Sequence, residues 1–235
     1  MRLIERLARN GATLMSLATG GRRSRAFRLY PDPALYDPRT RSFFAYHRHT
    51  GMPEWPGEVG HFHAVRILRV RPDIERAALV GISMSRRGWP QALFTVNLWT
   101  WKDRPQRASQ LRSHVRCFRI GPGCRPSQLG RFANLMFRAY RSEIEQLQDD
   151  KLRLLATLQR RRPRVTVRAD ESVHLLSGLV IDVRARAEGR PERAVSERTS
   201  RESLSSGGVS RAPSDSLRPG RGADRAGSRR RRRTG

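Results

Sequence analysis

Most residues here that could do chemistry fall in one short stretch. Four of the six histidines lie within residues 46–63, "YHRHTGMPEWPGEVGHFH", as His47-x-His49 and His61-x-His63. Neutral imidazole is the commonest ligand for zinc and also suits other transition metals. The implied cofactor is a divalent metal, zinc, iron or manganese, with His47, His49, His61 and His63 as ligands. The intervening loop carries Glu54 and Glu58, each a further ligand or a general base for metal-activated water. Two other readings fit the same residues. His and Glu can relay protons or grip an anionic ligand without metal, and histidines can form a purely structural hydrogen-bonded cluster.

These roles require particular elements. Aromatic content makes residues 42–49 a strand, and "GHFHAVRILRV" (60–70) reads as another. Alternate residues on a strand share a face, so each His-x-His pair points one way. If the strands are antiparallel neighbours with His49 opposite His61, then His47 stands opposite His63. Directly opposite Cβ atoms lie ~4.5–5.5 Å apart, so four imidazoles would occupy one small rectangle. A one-residue slip would send one pair to the other face.

The rest of the chain supplies a scaffold. "ALVGISM" (78–84) and "ALFTVNLW" (92–99) flank "SRRGWPQ" and read as a hairpin. Residues 1–19 have the apolar spacing of a helix with a weak point at Gly11, and 25–42 read as an extended, turn-rich lead-in. A broad apolar stripe predicts one long helix over 127–160, and 164–183 adds a final strand or two. The expected fold is α+β: an antiparallel sheet of about four to six strands packed with an N-terminal helix and a long C-terminal helix. Residues 1–183 form one domain. Residues 184–235 contain no aromatic residue and are dominated by Ser, Gly, Pro and Arg. That composition predicts a disordered basic tail.

Secondary candidates surround the histidines. Asn97, Trp99 and Trp101 alternate on one strand face, where Asn97 and Trp99 could contact a small-molecule ligand. Arg69 shares parity with His61 and His63 and could hold an anionic group. His114 and His174 stand alone and read as structural. Cys117 and Cys124 read as reduced thiols, too loosely spaced for a zinc knuckle.

The net charge is +27, of which the tail holds +9. Such a balance favours polyanions. Arg229, Arg230, Arg231, Arg232 and Arg233 form a patch for non-specific contact. The arginine bias weakens a specific nucleic-acid reading, because of 48 basic residues only Lys102 and Lys151 are lysines. A basic nucleic-acid-associated module, with sheet aromatics and arginines on RNA or DNA, is therefore the alternative function; a non-catalytic interaction protein is a third. No run of 18 apolar residues exists, so no membrane span is expected. A signal peptide is likewise not expected, which makes the location cytoplasmic.

Known motifs narrow the chemistry only a little. His47-x-His49 followed by Glu54 partly resembles the first metal-binding motif of the cupins, but the second motif has no counterpart. No Walker loop, dinucleotide glycine motif or serine elbow occurs. "FRLYPDPALYDPRTRSFFAYHRH", "GEVGHFHAVRI", "LVGISMSRRGWPQALFTVNLW" and "HLLSGLVIDV" together resemble a family of uncharacterised bacterial proteins, a domain of unknown function, over about residues 1–183. The paired histidines and Asn97-x-Trp99 carry that resemblance best. Val59 stands where many members have a further histidine. The resemblance implies no reaction, cofactor or substrate, so whether the chain is an enzyme stays open.

Overall fold

The structure, a computed structural model, describes residues 2–50 and 55–190. The N-terminal helix is two helices, α1 (Arg2–Arg9) and α2 (Leu14–Thr19). Gly11, at φ 66°, turns the chain between them. Thr13 then caps α2, its hydroxyl accepting from the Ser16 amide at 3.0 Å while Ser16 Oγ accepts from the Thr13 amide at 2.8 Å.

Six strands form one sheet: β1 (Tyr30–Asp37), β2 (Ser42–His47), β3 (Glu58–Arg69), β4 (Glu75–Ser85), β5 (Pro90–Val96) and β6 (Leu175–Val180). They lie side by side in chain order, each antiparallel to its neighbour. The expected extended lead-in contains β1, an edge strand. Pro31 and Pro33 are tolerated there because an edge strand need not donate on both sides.

Between β5 and β6 the chain makes α3 (Leu98–Trp101), α4 (Ala108–Cys117), α5 (Ser127–Ala139), α6 (Arg141–Arg161) and a 3-10 turn at Val167–Ala169. The expected single helix over 127–160 is therefore two. Tyr140, only 1% exposed, leaves helical geometry at the joint with φ −125° and ψ 28°. α4 has no counterpart in the sequence reading, since Leu111 and Val115 are its only buried residues and two anchors make a weak stripe.

Past the expected domain end, α7 (Val183–Ala187) docks back. Ala185 is buried, the Arg184 guanidinium lies 4.2 Å from the Trp89 ring centroid, and Arg186 pairs with Glu143. Residues 184–190 thus belong to the folded body. The remainder of the predicted tail, with Arg229–Arg233, lies outside the described residues. Among the described residues no helix is long and apolar enough to cross a membrane.

The sheet divides the interior. On one face Phe44, Tyr46, Phe62, Ala64, Ile82 and Leu93 pack against α2, α5 and α6 through Leu14, Phe132, Met136, Ile144 and Leu147. The other face carries Phe43, Ala45, Val65, Phe94 and Val96, covered by Trp55 and Trp101. Six of the seven sheet aromatics are buried and Tyr36 is partly exposed, so the described residues of the sheet present no continuous aromatic platform of the kind the nucleic-acid reading needs.

Candidate metal centre

β2 and β3 bring the histidines together on the second face. The register places His47 opposite His61 and Ala45 opposite His63. This is two residues away from the expected pairing. A two-residue shift preserves parity, so both pairs keep a common face. Its consequence falls on His49, which lies beyond the end of β2 and reaches the cluster from the following loop.

Glycines make room for the rings. One row across the sheet runs Ala45, His63, Gly81, Phe94, Gly178. A Cβ on Gly81 would overlap the Phe94 ring, and one on Gly178 would meet the Trp55 indole, 2.7 Å away at Cη2. The next row runs His47, His61, Ser83, Ala92, Val180. Small residues on β4 thus leave the surface to imidazoles and aromatics. Gly60, at φ 151°, sits where a Cβ would lie 2.7 Å from the His47 carbonyl oxygen, so the two strands meet closely just below the rings.

His47 is the hub. Its Nε2 lies 2.6 Å from His61 Nε2, 3.2 Å from His63 Nε2 and 3.3 Å from His49 Nε2. Nitrogens of His47, His61 and His63 all lie within 4.8 Å of one another, a spacing that could hold a metal ion. These three are 9%, 1% and 2% exposed, whereas His49 is half-buried. Phe94 and Trp101 wall the cluster, their ring centroids 5.2 Å from His61 and 4.9 Å from His63 respectively.

Burial sets the protonation. It holds the imidazolium forms of His47 and His63 well below the ordinary imidazole range, and the neighbouring imidazoles push the same way. Both rings are neutral near pH 7, with a lone pair on one nitrogen. His61 has a different partner: its Nδ1 lies 2.5 Å from Glu58 Oε1, and both side chains are almost fully buried. A carboxylate there fixes the proton on Nδ1, which leaves the Nε2 lone pair facing the cluster. The second Glu58 oxygen, Oε2, is buried without a hydrogen-bond partner among the described residues.

The structure adds one residue that the sequence reading missed. His174, expected to be merely structural, stacks against His49 at 6.1 Å and lies 5.2 Å from Trp99. Only the β5–β6 pairing brings it there, through a bond from the Asn97 amide to the His174 carbonyl at 2.8 Å. No local spacing signals it.

The other candidates fall differently. Asn97 and Trp99 do not share a strand face, because residues 98–101 turn into α3 with Asn97 as its N-cap. The Asn97 side chain accepts from the Leu98 amide at 2.7 Å and donates to the Val167 and Val173 carbonyls at 2.8 and 2.9 Å. Its amide is occupied in holding loops together. Trp99 Nε1 donates to the Val173 carbonyl at 2.9 Å, and among the described residues its ring contact with the histidines is to His174. Arg69 lies at the far end of β3, paired with Glu75, up to roughly 20 Å along the strand from His63. Distance removes it from the site. Glu54 lies outside the described residues.

The chain matches a domain of unknown function, DUF6969, over residues 1–181. It belongs to the DUF6969 family. The match spans the sheet, α1 to α6 and all six histidines. No curated protein and no solved structure matches the chain. The family match assigns no reaction, cofactor or substrate to this chain.

Proposed function

We propose that this chain is a metal-binding protein in which His47, His61 and His63 hold one divalent ion, zinc before iron or manganese, and His49 closes or opens the fourth position. One observation carries the reading. Four Nε2 atoms converge, and three of them crowd around His47 Nε2. A neutral imidazole nitrogen has either one proton or one lone pair. Since His61 Nε2 is the acceptor, the single His47 proton serves it and cannot also serve His63. A cation at the focus satisfies all of them at once.

The dimensions fit. Zinc–nitrogen bonds of ~2.0–2.1 Å in a tetrahedron put ligand nitrogens ~3.3 Å apart. Two of the three separations around His47, at 3.2 and 3.3 Å, match. The third, at 2.6 Å, is a hydrogen bond that widens by ~0.7 Å when the ion replaces the proton. Glu58 orients His61 in the manner of a carboxylate behind a metal-bound histidine.

Three buried ligands and one half-buried ligand suit a site where the fourth position can be exchanged. The ion would supply Lewis acidity to an oxygen bound there. Glu58 is committed to His61 and acts through it, which leaves Glu54 as the candidate general base. Such a protein is a small metalloenzyme, a hydrolase or an oxygenase. The test is elemental analysis of protein purified without a histidine tag. About one equivalent of metal per chain is expected, and the His61→Ala/His63→Ala double variant should lose it. Protein that neither carries nor takes up zinc, iron or manganese would overturn the proposal.

A further inference from the structure

His49 is the least secured member of the histidine cluster. It lies beyond the end of β2, so the strand ladder that fixes His47, His61 and His63 stops short of it. Those three supply the nitrogens that all lie within 4.8 Å of one another. His49 joins them through Nε2, 3.3 Å from His47 Nε2. A ligand on irregular backbone keeps its geometry only if neighbouring groups hold its ring.

Two remote pieces of chain supply such groups. The first is the lead-in to β1. The Phe27 amide donates to the Arg48 carbonyl at 2.9 Å, and the Arg48 guanidinium donates back to the Ser24 carbonyl from Nε at 3.1 Å and Nη2 at 3.0 Å. These bonds bring the Phe27 ring to 5.2 Å from the His49 ring, centroid to centroid. Phe27 has φ 60°. That left-handed conformation is one that bulky residues avoid, and it persists only where the surroundings hold it. The second piece is His174, directly before β6. Its ring stacks on His49 with centroids 6.1 Å apart and planes 19° apart. His174 is anchored in turn by the Asn97 amide on its carbonyl at 2.8 Å and by the Trp99 ring at 5.2 Å. Phe27, His49, His174 and Trp99 are all half-buried, so this row of rings forms the solvent side of a buried cluster.

We infer that Phe27 and His174 are positioning residues for His49: they hold its ring as the fourth ligand and so govern how readily that position is exchanged. The inference rests on the three-histidine metal site proposed above and names what regulates it. A ring packed against neighbours has few other rotamers to visit, so its ordering is already paid when the ion arrives. Without those neighbours His49 swings away, and water or an anion takes its place on the ion. His174 acts through His49, since it is not among the residues whose nitrogens lie close enough together to share an ion. The strain at Phe27 has a purpose in this reading, because it aims an aromatic ring at the one ligand that no strand holds.

The intact chain is loaded with cobalt(II) and titrated with azide, which changes the visible spectrum by binding the ion directly. A clamp that keeps the open form at about a tenth of the population predicts that azide affinity rises about tenfold when the clamp is removed. His49→Ala, Phe27→Ala and His174→Ala should each show that rise. Adding Phe27→Ala to His49→Ala should change nothing more, because both act on one ligand. Phe27→Tyr and His174→Phe keep a ring in place and should retain the parent affinity. General loosening of the fold would not tighten azide. Azide affinity unchanged in Phe27→Ala and His174→Ala, or effects of Phe27→Ala and His49→Ala that add, would overturn the assignment. So would loss of bound cobalt in His174→Phe, since His174 would then be a ligand itself. If Phe27→Ala does not fold, by near-ultraviolet circular dichroism, His174→Ala decides the matter. Failure of the metal site looks different: the parent chain then takes up no cobalt, and both readings fall together.

Discussion

The two faces of the sheet are built from the same strands and put to different uses. On the helix-covered face, Phe44 and Phe62 stack with ring centroids 5.0 Å apart, and Phe132 closes on both. On the opposite face, the residues flanking Phe62 are His61 and His63, equally buried but both aimed at His47 Nε2. Hydrocarbon rings gain by excluding water and by dispersion, and need nothing more. Imidazoles in the same dry setting keep a proton or a lone pair to satisfy, and a shortage of protons becomes a demand for a cation. Strand alternation thus lets one β-hairpin carry both stability and a site, with little interference between them.

This contrast can be broken experimentally, and the largest effect belongs to the hydrocarbon face. Phe62→Ala should cost about 3–5 kcal/mol of stability. Urea titration measures it, and the folded fraction should still bind metal. A variant that lost metal while keeping its stability would reverse the assignment of the two faces.

Acid should expose the cost of the imidazole face. His47 and His63 are depressed by burial. Such groups contribute stability that is complete above the unfolded value of about 6.5 and is lost as pH falls toward the folded value. Metal-free protein should lose up to about 2 kcal/mol per imidazole between pH 7 and pH 5. A flat stability profile over that range would show that these rings are not held neutral.

Glu58→Gln keeps the shape of the side chain but removes the charge behind His61. Metal affinity should fall about 10–100-fold, as competition with a chelator reports. An unchanged affinity would mean that Glu58 does not act through His61. Asn97→Ala removes the cap of α3 and should cost about 0.5–2 kcal/mol, with metal stoichiometry unaltered. The smallest effect is expected for Arg69→Ala. Its pair with Glu75 is half-exposed, so the change should stay below about 0.5 kcal/mol with no effect on metal.

Some of the site was legible before the fold. The His-x-His spacing fixed a common face for His61 and His63, because that follows from the two-residue period of a strand alone, whereas His49 falls beyond the end of β2. Aromatic and β-branched content located β2, β3, β4 and β5 within a few residues. The register was not legible: both pairings, His49 with His61 or His47 with His61, satisfy the same parity. Length also misled where a stripe ran on. Residues 127–160 read as one helix, and nothing local marks Tyr140 as the joint.

Sequence by itself determined the alternation, the common face of His61 and His63 and the α+β class, since these depend on short-range geometry and hydrophobic period. Tertiary structure alone decided which nitrogens meet. It placed His174 beside His49 from more than a hundred residues away, turned Asn97 into a cap, and left Arg69 at the wrong end of its strand. It also buried Glu58 against His61 and Asp103 against Lys151. Those outcomes rest on long-range strand pairing and on the desolvation of charged groups, neither of which is encoded in the spacing of neighbours.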